Sequence, residues 1–122
     1  MIHKINDNII ATYHSEDISF THAFSKNPQS LDPLENKFFR HTDDRNQILI
    51  FLSGECEMRT DEYTRVLQPG DVCFNPAGSY YGINLIGNTP YERIVIHVKP
   101  NKRFETLINE IFKDFGGWHF FL

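Results

Sequence analysis

The residues of this sequence best suited to chemistry are four polar side chains in segments with strand-like alternation: Gln47, Tyr81, Arg93 and His97. Their amide, phenol, imidazole and guanidinium groups donate or accept hydrogen bonds, and the guanidinium adds a positive charge. Side chains two positions apart share one face of a strand. If the strands close a barrel, all four point inward on an apolar wall, which is how small-molecule sites are usually built. The wall would consist of Leu49, Phe51, Ile83 and Val95.

The sequence offers little for catalysis. Ser53 and Ser79 lack nucleophile-elbow spacing with a partner histidine and acid. Asp43, Asp44 and Glu57 could form a carboxylate pair, but the sequence alone cannot place them together. A glycine-rich loop of the kind that cradles phosphate does not occur. We therefore predict no catalytic residue.

The elements that must position the polar groups are short strands separated by turn signals. Gln68–Asp71 and Asn75–Gly78 each combine proline with glycine, which favours tight turns. Many short strands at this spacing indicate a β-sandwich or barrel. Ser25–Asn36 shows neither the alternation of a strand nor the apolar spacing of a helix, and we predict that it is a loop. The predicted strands are Asn8–Tyr13, Ile18–Phe24, Gln47–Leu52, Glu55–Thr60, Tyr63–Leu67, Val72–Phe74, Tyr80–Leu85 and Tyr91–Val98.

After the last predicted strand, the spacing of the apolar residues changes from that of a strand to that of a helix. Pro100 stops that strand, Asn101 can cap a helix, and apolar residues then recur with helical spacing over about 102–115. Gly116–Gly117 ends this amphipathic helix. We expect the apolar tail Trp118–Leu122 to pack on the barrel or to continue into a further segment of a longer protein.

The overall composition limits the function classes. A chain of 122 residues suits one domain. Its net charge of −4 argues against direct DNA binding, which normally needs a basic face. A signal peptide and an apolar stretch long enough for a membrane span are both missing from the sequence, so we expect a cytoplasmic protein without a membrane partner. Cys56 and Cys73 lack metal-cluster spacing and are expected to be buried free thiols.

Two motifs give the sequence a resemblance to the cupins. Leu67–Gly78 matches the second cupin motif, Gly-x5-Pro-x-Gly, and His41–Gly54 falls in register with the first. More finely, Leu52–Glu55, Leu67–Pro76 and Tyr91–Pro100 resemble, in order, the N-terminal sensor domain of AraC-family transcription regulators. The resemblance implies an all-β fold, a small cupin or jelly-roll barrel over about 8–100 with one C-terminal amphipathic helix.

The motif positions that bind metal in metal-dependent cupins are altered here. By the resemblance these positions fall on His41, Asp43, Gln47 and Tyr81, and only the first is a conventional ligand. We therefore predict no metal and no cofactor.

Sugar-binding members of the AraC family hold the ligand inside the barrel, and the matching positions here are Arg40, Tyr81, Arg93 and Val95. Two guanidinium groups near one mouth would favour a carboxylate, a phosphate or a polyol. The predicted ligand-binding residues are Arg40, His41, Gln47, Phe51, Tyr81, Arg93, Val95 and His97.

Each of the polar residues in this set also has a purely structural interpretation. Arg40 could be a solvated loop residue, Tyr81 a core aromatic, and His97 a buried neutral histidine. Arg93 could form an ion pair with Glu92, Glu105 or another carboxylate at the barrel rim.

The leading hypothesis is an effector-sensing and dimerising domain, not an enzyme. A small molecule in the barrel would shift the surface occupied by the N-terminal arm (about Met1–Asp17) or by neighbouring elements, and so bias a separate C-terminal helix-turn-helix domain on DNA. The first alternative is a free-standing cupin that acts as a metal-independent sugar or carboxylate enzyme or as a binding protein. The second alternative is a metal cupin that uses His41, Asp43 and His97.

Overall fold

The computed structural model describes residues 7–27, 41–42, 44–61, 64–112 and 119–120. Over these residues the chain forms two antiparallel β-sheets and one short helix, which confirms the predicted fold class. In chain order the elements are β1 (Asp7–His14), β2 (Ile18–Ser25), β3 (His41–Thr42), β4 (Asn46–Ser53), β5 (Cys56–Thr60), β6 (Thr64–Val66), β7 (Val72–Asn75), β8 (Tyr80–Leu85), β9 (Tyr91–Val98), α1 (Lys102–Phe112) and β10 (His119–Phe120).

Strand β9 lies near the centre of the larger sheet. That sheet has six strands in the order β1-β2-β9-β4-β7-β10, and the smaller sheet has four in the order β3-β8-β5-β6. Antiparallel register pairs β9 with β2 along its whole length, from Tyr91 opposite Ser25 to Val98 opposite Ile18. On its other side β9 pairs with β4. A side chain on β9 is therefore flanked on both sides by neighbours of fixed register.

The tight turn between β4 and β5 carries the chain from one sheet to the other. Gly54 in this turn has a φ of +127°, and a Cβ there would lie 3.2 Å from the Cα of Tyr91. Only glycine suits that backbone conformation at such a close approach. This turn places the end of β4 and the start of β5 at one end of the barrel.

The core lies between the two sheets and is formed by alternate residues of their facing surfaces. Leu49, Phe51 and Cys73 contribute from the larger sheet, and Cys56 and Met58 from the smaller one. The complete buried cluster is Leu49, Phe51, Cys56, Met58, Leu67, Cys73, Tyr81, Leu85 and Tyr91.

Helix α1 packs on the opposite, outer face of the larger sheet. Its Phe104 and Ile108 contact Ile48 and the fully buried Phe74. Asn101 caps the helix as predicted, because its side-chain oxygen accepts a hydrogen bond of 3.0 Å from the Phe104 amide. Successive residues of β4 and β7 thus alternate between the barrel interior and the helix.

Asn46 ties the helix to the barrel. Its Nδ2 donates to Glu105 Oε2 at 3.0 Å, and its Oδ1 accepts from the Ala77 amide at 2.9 Å. The same oxygen of Glu105 accepts from the Asn101 amide and completes a reciprocal capping box. The amide of Asn46 therefore links the start of β4, the turn after β7 and the first turn of α1.

The predicted element bounds agree with the observed ones to within one residue where both are described. Ser25 is an exception to the predicted loop, because it pairs with Asp7 and Tyr91 as the last residue of β2. The rest of that loop from residue 28, Tyr63, the helix end at 113–115 and Gly116–Gly117 lie outside the described residues. In the tail, His119–Phe120 pairs with β7 at the edge of the larger sheet.

Among the described residues, helices with the length and hydrophobicity of a membrane span are absent.

Candidate ligand-binding site along strand β9

The inner face of β9 is partly accessible to solvent. Arg93, Val95 and His97 point to this face and are all half-buried. Leu49 and Phe51 lie opposite Val95 and Arg93 on β4, and both are buried, at 3% and 0% exposure. On the β2 side the opposing side chains are small, and Thr21 there is half-buried. Residues of β2 alternate between its two faces, and the small residues Ser19, Thr21 and Ala23 lie on the inner one.

One end of this groove is polar. Antiparallel register places Ser19, His97, Gln47 and Asn75 side by side on four neighbouring strands. Asn75 Nδ2 donates to Gln47 Oε1 at 2.8 Å, which fixes the orientation of both amides. Arg45 Nη1 donates to Ser19 Oγ at 3.3 Å at the edge of the same row. This row presents an imidazole, a hydroxyl and two amides, with the Arg45 guanidinium at its edge.

Tyr81 belongs to the polar end. It is paired with Thr60 at the end of β5 farthest from the Gly54 turn, and therefore at the end of the barrel where β4 begins. His41 pairs with Tyr81 in the backbone register of the smaller sheet. Tyr81 is only 3% exposed and packs in the core cluster, as the core-aromatic interpretation predicted.

The other end of the groove carries a positive charge. Arg93 Nη1 donates to the fully buried Ser25 Oγ at 2.9 Å, and the guanidinium carbon lies 4.3 Å from the centre of the Tyr91 ring. Together the hydrogen bond and the cation–π contact orient the guanidinium. Tyr91 packs in turn against Phe51, with ring centroids 6.3 Å apart.

The proposed ion pairs of Arg93 with Glu92 and Glu105 are wrong. Glu92 lies on the outer face of the sheet, where its Oε2 is 2.6 Å from His22 Nε2. Glu105 lies on helix α1 and accepts from Asn46. Because neighbouring strand residues point to opposite faces, Glu92 cannot reach the side on which Arg93 lies.

The wall between the two ends is apolar. Val95 is opposite Leu49, which is opposite Cys73, and Ile83 from the smaller sheet packs against the same cluster. Burial raises the pKa of the Cys73 thiol to about 12, and Asp71 adds to this effect. Burial likewise raises the pKa of Cys56 to about 12, and the neighbouring positive charge of Arg93 opposes the rise. Both thiols are therefore protonated at neutral pH and act as small apolar groups.

The structure brings together most of the predicted set but divides it between two ends. Gln47, Tyr81 and His97 lie at the polar end, and Arg93 and Phe51 at the charged end. Val95 lies between the two ends, Arg40 lies outside the described residues, and His41 is described through its backbone register.

The residues that sequence reasoning missed are Ser19, Asn75, Ser25 and Tyr91. Alternation from Cys73 would have put Asn75 on the inner face, but its position before Pro76 suggested a turn instead. Ser25 was assigned to a loop, and Ser19 to a face that was not recognised as internal.

Gln47 and Tyr81, at two of the four cupin metal positions, do not fit a divalent metal. Gln47 offers an amide oxygen that already accepts a hydrogen bond from Asn75. Tyr81 offers a buried phenol among apolar side chains. Groups of three or more histidine, cysteine or acidic side chains that could hold a metal do not occur within the described part of the chain.

A cavity of about 470 Å³ lies outside the barrel beside the start of helix α1. It contains none of the predicted ligand-binding residues. It is lined by Asp17, Val98, Lys99, Pro100, Asn101 and Phe104.

Two facing antiparallel sheets that enclose a common core are the architecture of a cupin-type domain, and solved structures of cupins share this fold. The cupin domain of Cnp3 from Schizosaccharomyces pombe has a TM-score of 0.61 at 16% identity and covers 88% of this chain and 72% of that chain. The chain belongs to the family of AraC-like ligand binding domains, whose sequence model matches residues 28–117.

Two further structures share the fold. A conserved SPY1581 protein of unknown function from Streptococcus pyogenes has a TM-score of 0.59 at 19% identity, and the match covers 83% of this chain and 81% of that chain. A mannose-6-phosphate isomerase candidate from Ralstonia eutropha has a TM-score of 0.60 at 16% identity, covering 82% of this chain and 91% of that chain. No curated protein matched the sequence. At these identities the likenesses establish the fold alone.

Proposed function

We propose that this domain senses a small-molecule effector, which binds in the groove along the inner face of β9, and that it performs no catalysis. The observation that carries the proposal is the unequal burial of the interior. Phe51, Cys56 and Cys73 are completely sealed, whereas Arg93, Val95 and His97 are half-buried and carry polar groups at both ends of an apolar strip. A concave apolar surface with a few placed polar groups is the usual form of a small-molecule site.

The ligand-binding residues in this proposal are Gln47, Phe51, Tyr81, Arg93, Val95 and His97, together with Arg40 and His41. Phe51 acts as the floor of the charged end, and Tyr81 as part of the wall at the polar end. Asn75 joins the set because its amide is bonded to Gln47.

Within a cell, the domain would form the sensor part of a longer AraC-type transcription regulator in the cytoplasm. Family membership supports this role. Contact with DNA would be made by a separate helix-turn-helix domain, and the net charge of −4 agrees with a sensor that does not itself bind DNA. A homodimer is the form in which such a regulator would engage paired DNA half-sites.

The effector signal would pass across the larger sheet. Part of the N-terminal arm is strand β1, which pairs with β2 from Asp7 to His14. Strand β2 in turn pairs with β9. An effector that binds one arrangement of these strands better than another would therefore shift the equilibrium between the two arrangements.

The free-standing cupin enzyme is the less favoured alternative. The structure named as an isomerase candidate shares only the fold with this chain. Neither thiol of the interior is ionised at neutral pH, and two of the four metal positions, Gln47 and Tyr81, carry an amide and a phenol.

The proposed function is tested by filling the groove. We expect Val95→Phe to abolish binding of whichever compound stabilises the wild-type domain in a thermal-shift panel of monosaccharides, sugar acids and hydroxycarboxylic acids. Ile94→Phe is the matched control, because Ile94 is the next residue and points to the outer face. Equal binding by both variants, each still melting cooperatively, would place the ligand elsewhere and overturn the proposal.

A further inference from the structure

We propose that the cavity of about 470 Å³ beside the start of helix α1 is a second ligand site, and that its ligand is a free amino acid with an apolar side chain. The site goes beyond the proposed function, because this cavity lies outside the barrel and shares no residue with the groove along β9. Its lining combines a carboxylate, an ammonium group and apolar side chains, which complement the three parts of such a zwitterion.

The two charges of the cavity start from neighbouring points of the chain. The Lys99 amide donates to the Asp17 carbonyl at 2.8 Å, and this bond continues the register that pairs Ile18 with Val98. Directly opposed residues of antiparallel strands have their Cβ atoms about 5 Å apart. One small ligand can therefore reach both the Asp17 carboxylate and the Lys99 ammonium group.

These two charges do not neutralise each other. Within the described part of the chain, the Asp17 carboxylate has no hydrogen-bond or ion-pair partner. Lys99 Nζ lies 3.6 Å from Glu16 Oε1, and these side chains are 55% and 86% exposed. An ion pair this long and this exposed is weak. Both charges that line the cavity are thus accessible to a ligand of complementary charge.

Three apolar side chains complete most of the lining. Val98 and Phe104 are half-buried, and Pro100 is exposed beside them. An apolar ligand side chain that covers these residues gains free energy, because apolar surface is removed from water on both partners. The cavity volume also falls within the usual range of small-molecule sites, about 300–1,000 Å³.

Asn101 supplies one further polar group to the cavity. Its Oδ1 accepts the capping bond from the Phe104 amide at 3.0 Å, which fixes the orientation of the side chain. Its Nδ2 group is left as a donor, and a carboxylate accepts hydrogen bonds from such a group. The carboxylate of the ligand is therefore assigned to Lys99 and Asn101, and its ammonium group to Asp17.

The two charges discriminate against simpler ligands. An anion without an ammonium group would bring negative charge close to Asp17, and an amine would bring positive charge close to Lys99, and both arrangements cost free energy. A free amino acid carries both charges on one carbon atom. Once bound, it would hold the turn between β1 and β2 against the start of α1, because Asp17 lies in that turn and Asn101 caps the helix.

The test is a heteronuclear NMR titration of the complete chain with four matched probes. L-leucine has all three parts, 3-methylbutylamine lacks the carboxylate, 4-methylpentanoic acid lacks the ammonium group, and glycine lacks the apolar side chain. We expect L-leucine to shift the amides of Asp17, Lys99, Asn101 and Phe104, and to bind at least tenfold more tightly than each of the other probes.

Two variants locate the charges. Asp17→Asn and Lys99→Gln should each weaken the binding of L-leucine at least fivefold. Glu16→Gln and Lys102→Gln are the matched controls, because they make the same charge changes at neighbouring exposed residues that do not line the cavity. Neither control should weaken binding. All four positions are exposed, so we expect the variants to fold, and cooperative melting checks this.

Three results would overturn the proposal. The first is equal affinity for L-leucine and for either probe with a single charge, and 4-methylpentanoic acid in that role would indicate an anion site at Lys99 instead. The second is an equal loss of affinity in a variant and in its control. The third is the absence of shifts at the cavity with every probe. The groove along β9 is decided separately, by the comparison of Val95→Phe with Ile94→Phe.

Discussion

The two halves of the barrel interior are built differently, although the same sheets enclose both. On the β4 and β7 side, Leu49, Phe51 and Cys73 fit against Cys56 and Met58 with almost no exposure. On the β9 side, Arg93, Val95 and His97 are half-buried, although Ser19 and Ala23, which lie opposite His97 and Arg93 on β2, are buried. The comparison indicates that the first half stabilises the fold and that the second is left free to bind.

The largest effect is expected when a side chain is removed from the fully buried half of the interior. We expect Phe51→Ala to lower the free energy of unfolding by about 3–5 kcal/mol, the usual cost of deleting a buried aromatic ring and leaving a cavity. Val95→Ala in the open half should cost clearly less. Urea denaturation of both variants measures the difference, and equal losses would show that the two halves pack alike.

The next largest effect is expected at the link between barrel and helix. Asn46→Ala removes the donor to Glu105 and the acceptor of the half-buried Ala77 amide, and leaves a cavity at a fully buried position. We expect a loss of about 2–3 kcal/mol, at the upper end of the range for the loss of such partners. Thr106→Ala, on the exposed side of the same helix, is the control and should change the stability little. If Asn46→Ala lowers the free energy of unfolding no more than Thr106→Ala does, Asn46 does not stabilise the contact between the helix and the barrel.

The buried thiols of the sealed half give a pH-dependent prediction. Burial raises the pKa of Cys56 and Cys73 from 9.0 to about 12, so the folded state keeps protons that the unfolded state releases. The stabilisation that comes from keeping the two thiols protonated is fully present below about pH 9. It is lost as the pH rises through about 12. The slope is at most about 1.4 kcal/mol per pH unit for each thiol.

A variant in which both cysteines are replaced by alanine provides the reference for this pH dependence. The wild-type protein should lose stability more steeply than that variant in urea titrations above pH 9. Parallel curves would mean that the thiols ionise as easily in the folded protein as in the unfolded chain.

The smallest effect is expected on the outer face, where His22 Nε2 lies 2.6 Å from Glu92 Oε2. Because both side chains retain contact with water, His22→Ala should change stability by less than about 1 kcal/mol. It should also leave effector affinity unchanged, since the pair lies on the side of the sheet away from the groove. A large fall in affinity would connect the outer face to binding.

Much of this fold is readable in the sequence because it depends on local signals. The Gln68–Asp71 turn forms as its proline and glycine indicate, with Gly70 at a φ of +95° and the Gln68 amide bonded to the Asp71 carboxylate. The cap at Asn101 is equally local. The alternation of β4 and β9 correctly placed Leu49, Phe51 and Val95 together.

The missed parts of the site depend on contacts between distant segments. The sequence could not show that Asn75 bonds to Gln47, because that contact requires the register of β4 with β7. Nor could it show that Arg93 contacts Ser25, 68 positions away along the chain, instead of Glu92 beside it. The separation of the polar and charged ends likewise follows only from the pairing of β9 with both neighbours.

The central claim is that the effector lies along β9 inside the barrel, and amide chemical-shift mapping tests it most directly. The spectrum of the labelled domain is recorded with and without the tightest compound from the thermal-shift panel. We predict the largest changes at Arg93–His97 and at the facing residues of β2 and β4. Changes confined to Lys99–Phe104 and Asp17, around the cavity outside the barrel, would contradict the claim.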